Sequence, residues 1–231
     1  MSPRQTTREH ALAQWILGAL PGEGPVTHMR QSTARGPVDQ VWTSDELQII
    51  AKQVCEDCNT VWMSRLEGRA KPRLTPMIQG HGGKLLLPES QEVIAAWAVK
   101  TALALHLTTP EQGAPQAHYH EIARTHRPPA NARVWLAAYE DWRAAYHHSS
   151  LLKLTTDRLS GDGYVTTLTV GRLCLQVVGW VGVEESVTWE SEAWARAVLS
   201  IFPPTDPVVW PPPLILDDPA MLAFSMRYET P

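Results

Sequence analysis

The stretch Val54-Cys55-Glu56-Asp57-Cys58-Asn59-Thr60-Val61-Trp62-Met63-Ser64-Arg65-Leu66-Glu67 constrains this chain more than any other. It holds two of the three cysteines as Cys-x-x-Cys, an asparagine directly after them, and then an amphipathic segment with Trp62 and Leu66 on one face. That cysteine spacing is half of a structural zinc site, because a tight turn lets two thiolates meet one ion. A tetrahedral site needs two further ligands. There is no second cysteine pair, and His28 and His81 are substitutes only in principle. The alternative is a pair of buried, reduced thiols at a strand-to-helix turn. With so few cysteines the chain does not read as a secreted disulfide scaffold; a reducing compartment fits better, with Cys174 a buried thiol.

A chain of 231 residues makes one large domain or two small ones and can bury a substantial core. Ten Trp against two Phe point to indole rings as core anchors. A net charge of -4 argues against coating nucleic acid through bulk charge but leaves room for a local basic groove. No apolar run reaches the roughly 20 residues that span a bilayer. The first residues lack the apolar stretch of a signal peptide, so a soluble, cytoplasmic protein with no membrane partner is expected.

Apolar spacing predicts a helix over Glu9 to Leu20, capped by Thr6 or Thr7 and stopped at Pro21-Gly22. Two β-prone pieces, around Val26 to Met29 and Val38 to Trp42, are consistent with an inserted hairpin or an ordered loop. Leu47 to Val54 is strand or helix; its periodicity does not decide. A helix fits Asn59 to about Arg69, broken by Pro72 and Pro76, with a loop at Gly80 to Gly83. Gln91 to His106 is the clearest helix, with Val93, Trp97, Thr101 and Leu105 in one row. Residues 108–132 read as a polar loop, and Arg133 to His147 as a helix through Trp135, Ala138, Tyr139 and Trp142. A hairpin turns at Gly171-Arg172. A short helix is expected around Ser191 to Phe202, an extended surface segment over Pro203 to Pro213, and a last helix over Asp217 to Arg227. The fold class is α+β, with a boundary near 80–90 separating residues 1–84 from an α+β region, 85–231.

The string Val-Cys-Glu-Asp-Cys-Asn-x-x-Trp-Met-Ser-x-Leu-Glu, continued by Pro72, Leu74, Pro76, Ile78 and Gly80, resembles a group of bacterial and phage proteins described as HNH-endonuclease-like. The similarity extends through Gln91 and Trp97-Ala98-x-Lys100-Thr101, more weakly to Val134-Trp135, and upstream to Thr7-Arg8-Glu9-His10-x-x-x-x-Trp15. It covers about the first half of the chain. The resemblance implies a small ββα-metal (His-Me finger) region in residues 1–84 and a metal-dependent DNA endonuclease. By that resemblance His10 is the general base, Glu9 and Asn59 hold one Mg²⁺ or Mn²⁺, and Cys55 and Cys58 form half of a structural Zn²⁺ site. An imidazole neutral near pH 7 can accept a proton from water, and hard oxygens suit Mg²⁺.

The chain departs from the family pattern at three places. Only eight residues precede Glu9 and none is Cys, so either the start lies too late or the zinc is lost. Residues 45–54 contain no Asn for the middle HNH position, where Gln48 or Gln53 would stand in. The last position is Asn59 rather than His. On the residues alone, His10 also reads as a surface histidine in a helical first turn, and Asn59 as a helix cap. Arg65, Arg69, Lys71 and Arg73 form a basic stretch that meets DNA phosphates or is simply a solvated face interrupted by Glu67. His118, His120, Glu121 and His126 do not reproduce a zinc-protease spacing, and His147-His148 reads as a helix end. The endonuclease reading therefore stands beside a catalytically degenerate DNA- or protein-binding module. A protein partner of the C-terminal region is a third course.

Overall fold

A computed structural model describes residues 6–20, 25–30, 40–44, 49–56, 58–108, 113–140, 145–155, 160–183, 192–204 and 206–228. Strand β1 (Thr6–His10) leads into a 3-10 turn at Gln14–Ala19, then the antiparallel hairpin β2 (Val26–Arg30) and β3 (Gln40–Ser44). Strand β4 (Ile50–Cys55) returns to pair antiparallel with β1, Thr6 opposite Cys55 and His10 opposite Ile50. A bulge between Thr7 and Glu9 shifts that register. A π-helical turn, Cys58–Met63, runs without a break into α1 (Ser64–Ile78). There follow β5 (Lys84–Leu86), α2 (Pro88–His106), α3 (Gln116–Thr125), β6 (Ala132–Tyr139), β7 (Ala145–Thr155), β8 (Ser160–Val170) and β9 (Leu173–Val181). The chain closes with β10 (Val198–Phe202), β11 (Val208–Trp210), β12 (Ile215–Leu216) and α4 (Asp218–Ser225).

The main sheet runs β10-β6-β9-β8-β7, all antiparallel, with β12 added parallel to β6. Helices and a sizeable antiparallel sheet make the protein α+β, as the sequence suggests. The inserted hairpin, the helix containing Gln91 to His106, the hairpin at Gly171-Arg172 and the last helix are all present. Residues 50–55, undecided from periodicity, are a strand.

Both faces of the sheet are covered. Val134, Leu136 and Ala138 of β6, with Leu175 and Val177 of β9, pack under α2. Trp135, Ala137 and Tyr139, with Cys174 and Val178, point the other way into a second cluster with Met221 and Phe224 of α4. This explains why Arg133–Tyr139 and Ala145–His147 are strand and not the helix expected, Trp142 lying outside the described residues. A strand buried on both faces loses its apolar–polar alternation, and the remaining Trp and Tyr spacing imitates a helix. His147 and His148 accordingly lie within β7 rather than at a helix end.

Other segments depart for similar reasons. Glu9 and His10 belong to β1, and only Gln14 to Ala19 coils, so Thr6 and Thr7 are strand residues and not caps. The helix from Cys58 does not stop before Pro72; it continues through Pro72 and Pro76 to Ile78. The two prolines remove the N–H partners of the Gly68 and Pro72 carbonyls. Gly68 and Pro72 are both exposed, so water can take those acceptors, while Leu66, Ala70, Leu74 and Met77 bury the opposite stripe. Residues 108–132 contain α3, and the expected helix at 191–202 is a short 3-10 turn at Glu192–Trp194 followed by β10. Of the proline-rich segment, Val208–Trp210 is extended as β11, paired with β5, and Trp210 is buried in the core rather than lying on a surface. The 80–90 boundary falls between α1 and α2, and these two helices share one buried cluster.

Two glycines test this packing. A Cβ at Gly179 would lie 2.5 Å from the Tyr164 ring, which is fully buried. Gly179→Ala is expected to cost about 1–3 kcal/mol in urea denaturation. Gly68→Ala, at an exposed helical position with open space around it, should instead add about 0.5–1 kcal/mol.

Candidate functional site

His10 ends β1, half-buried, and its Nδ1 lies 2.8 Å from the Gln14 amide nitrogen one turn later. Glu9 precedes it in the strand opposite Ala51; its side chain lies outside the described residues, as do those of Cys55 and His28. Asn59 is the second residue of the π-helical turn and is half-buried, with hydrogen-bonding neighbours of its own. In the β1–β4 ladder His10 lies opposite Ile50, at the start of β4, whereas the helical run bearing Asn59 follows Cys55, at the Thr6 end of the same pair. Thr60 Oγ1 donates to the Glu56 carbonyl at 2.9 Å, tying the helix start to the turn before it.

Cys58 is disulfide-bonded, against the expectation of a reduced thiol. The tight turn that suits a shared ion also suits a disulfide, and a disulfide sulfur is no thiolate, so Cys58 in this state does not fit a zinc site. His81 is exposed at the loop after α1. Cys174 is free and buried as expected, and burial pushes its thiol up to about 12, an inert group. Among the described residues, no three His, Cys, Asp or Glu side chains gather closely enough to share an ion.

Arg65, Arg69 and Arg73 stand at intervals of four and form one row on α1. Arg65, Arg69 and Lys71 are exposed, whereas Arg73 is half-buried, bonding the Arg69 carbonyl at 2.7 Å and Ser90 at 3.4 Å. Trp62 stacks on His126, ring centroids 5.2 Å apart and planes within 9°.

The residue missed in the sequence is Glu67. Its Oε2 accepts from Trp15 Nε1 at 2.6 Å and from Trp97 Nε1 at 2.8 Å, and its Oε1 pairs with Lys100 Nζ at 2.5 Å. The Lys100 side chain is only 2% exposed and that of Glu67 17%. One carboxylate thus joins the 3-10 turn after His10, the helix continuous with the turn that carries Asn59, and α2. Lys100 carried the available signal: a lone ammonium within the buried run 93–106 of α2 requires an anion.

A second polar cluster lies under α3. His118 Nε2 faces the Trp180 carbonyl at 3.2 Å, so it carries the proton and donates; Nδ1 then accepts from the Tyr164 hydroxyl at 3.3 Å. Burial lowers the His118 pKa from 6.5, outweighing the attraction of Glu121 and the Trp180 carbonyl. His106 bonds Thr166 at 3.1 Å on the other side of the Tyr164 ring.

Comparison with protein-family models, curated proteins and solved structures finds no match to this chain.

Glu67→Ala removes the carboxylate that pairs with the buried Lys100 ammonium and accepts from two indole N–H groups, and is expected to cost about 3–5 kcal/mol by chemical denaturation. Adding Lys100→Met should recover part of that loss, because the buried charge that has lost its carboxylate is gone. His118 is neutral in the fold and its folded pKa is depressed, so the unfolded chain binds the extra proton first. Stability should be complete above pH 6.5 and fall as pH drops below it toward the folded pKa. His118→Gln keeps one acceptor and one donor and should flatten that slope in a pH series of melting curves.

Proposed function

We propose that this protein is a metal-dependent DNA endonuclease of the HNH type. The observation that carries the reading is the order over residues 6–78 of strand β1, its antiparallel partner β4 after the β2–β3 hairpin, and then the helix. In it His10 is the last residue of the first strand and Asn59 the second residue of the helical run. That is the chain order a ββα-metal site requires. Exposed Arg65, Arg69 and Lys71 lie on the same helix that Asn59 begins, within reach of a phosphate backbone tracking it.

In this reading His10 takes a proton from a water molecule, whose oxygen attacks phosphorus as the bond to the leaving oxygen breaks. Glu9 and Asn59 supply hard oxygen donors of the kind Mg²⁺ or Mn²⁺ prefers. The ion, when bound, offsets charge on the scissile phosphate and the leaving oxygen. The resemblance of the Cys-x-x-Cys-Asn string supports the same assignment. No step is routed through zinc, since Cys58 is in a disulfide.

The exposed arginines also favour a second reading, because they need no metal: a binding module that keeps the fold without cleavage. Supercoiled-plasmid nicking separates the two. The endonuclease reading expects cleavage with Mg²⁺ or Mn²⁺ that falls at least about 100-fold in His10→Ala and survives His147→Ala. Equal loss in both variants, or equal persistence, sinks it. Salt-sensitive DNA binding without cleavage at any divalent ion is the outcome for the binding module. In either case Arg65→Ala should lower the slope of log affinity against log salt by about one.

A further inference from the structure

We propose that Glu67 is the positioning residue of the His10–Asn59 site, holding the segment after His10 against the helix that carries Asn59 and both against α2. This rests on the endonuclease reading for its catalytic consequence, although the structural linkage is independent of it. The path is short. Gln14, whose amide meets His10 Nδ1, is followed directly by Trp15, whose indole N–H donates to Glu67. Glu67 sits on α1, continuous through the π-helical turn with Asn59. The same carboxylate oxygen accepts from Trp97, while the other pairs with Lys100.

The arrangement does more than fill a core. Trp15 and Trp97 lie side by side, centroids 6.1 Å apart and tilted by 50°, so their area is buried whether or not Glu67 is present. The hydrogen bonds add direction. A carboxylate mostly withdrawn from water is held by three donors from two other elements, which leaves it one orientation. The 3-10 turn at Gln14–Ala19 has no side-chain cap. Its place against α1 comes from the apolar contacts of Ile16 and Ala19 and from this one directional bond. A base two elements away from its metal-bearing partner needs such a tie, since a displacement of about 1 Å can cost 100-fold in rate.

Removing single N–H groups separates positioning from mere stability. Trp15→Phe keeps a ring and loses only the bond that links the His10 segment to α1. Trp97→Phe loses an equivalent bond to α2 and leaves the His10 link intact. Trp15→Phe should lower kcat for plasmid nicking about tenfold with KM within about twofold, whereas Trp97→Phe leaves kcat within about twofold. Amide hydrogen exchange over residues 6–20 should rise in Trp15→Phe and not in Trp97→Phe. The pair Glu67→Gln with Lys100→Met keeps an oxygen for both indoles and removes the ion pair, so it should retain kcat within about threefold. It also serves if Trp15→Phe does not fold. Equal kcat losses in the two Trp variants, or loss of kcat in the Gln–Met pair, overturns the proposal. If the wild-type chain does not cleave, the endonuclease reading fails, and the exchange measurement alone decides: faster exchange confined to Trp15→Phe upholds the tie, and no difference overturns it.

Discussion

A carboxylate can be withdrawn from water at tolerable cost only if both its oxygens find donors, and Glu67 meets that condition with two indoles and an ammonium. The requirement runs both ways. Lys100, within a Val93–Leu105 stretch otherwise made of Ala, Val, Leu, Ile, Trp and Thr, sits at 2% exposure with its ammonium on this carboxylate. Around this one charge the first third of the chain is fastened to α2, and α2 in turn lies on the sheet. The segment Leu12 to Leu20, the long helix with its two prolines and the buried helix therefore share a single core rather than meeting as separate bodies.

The sheet beyond α2 is buried on both faces, which sets a second group of polar requirements. On one face His118 and His106 bracket Tyr164, and Gly179 leaves the space that the Tyr164 ring occupies. On the other, Gln176 donates to Thr167 and to the Phe224 carbonyl while accepting from Arg227, whose guanidinium lies over Trp135, Phe224 and Tyr228. The end of the chain is thereby held to the middle of the sheet by a hydrogen-bonded glutamine and stacked rings. Burial lowers the Arg227 pKa, chiefly through desolvation, and the stacked rings are the neighbours such a guanidinium tolerates.

The hairpin at Gly171-Arg172 was legible from its turn residues, although both its strands are buried on both faces. The last helix is present as Asp218–Ser225, capped by Asp217, which accepts from the Ala220 N–H at 2.9 Å. The α2 helix was legible because its apolar length exceeds any strand. Legibility failed at β6, where cover on both faces removes the alternation, and at α1, where the prolines occupy the solvated side and do not end the helix. Of the candidate site, Asn59 at the start of a helix was readable from its neighbours. His10 on a strand was not, because the apolar spacing after it fits a helix through residue 20, while only residues 14–19 coil.

By itself the sequence determined the types of chemistry present: a histidine after a carboxylate, an asparagine after two cysteines, a basic helix row, and an isolated lysine among apolar residues. Those follow from covalent identity and short-range spacing. Only the tertiary structure decided the partners. Trp15, Glu67, Trp97 and Lys100 are separated by up to 85 positions in the chain, 100 − 15, and no local periodicity relates them. Their convergence is set by the cost of an unpaired buried charge, which applies only once the elements are packed together.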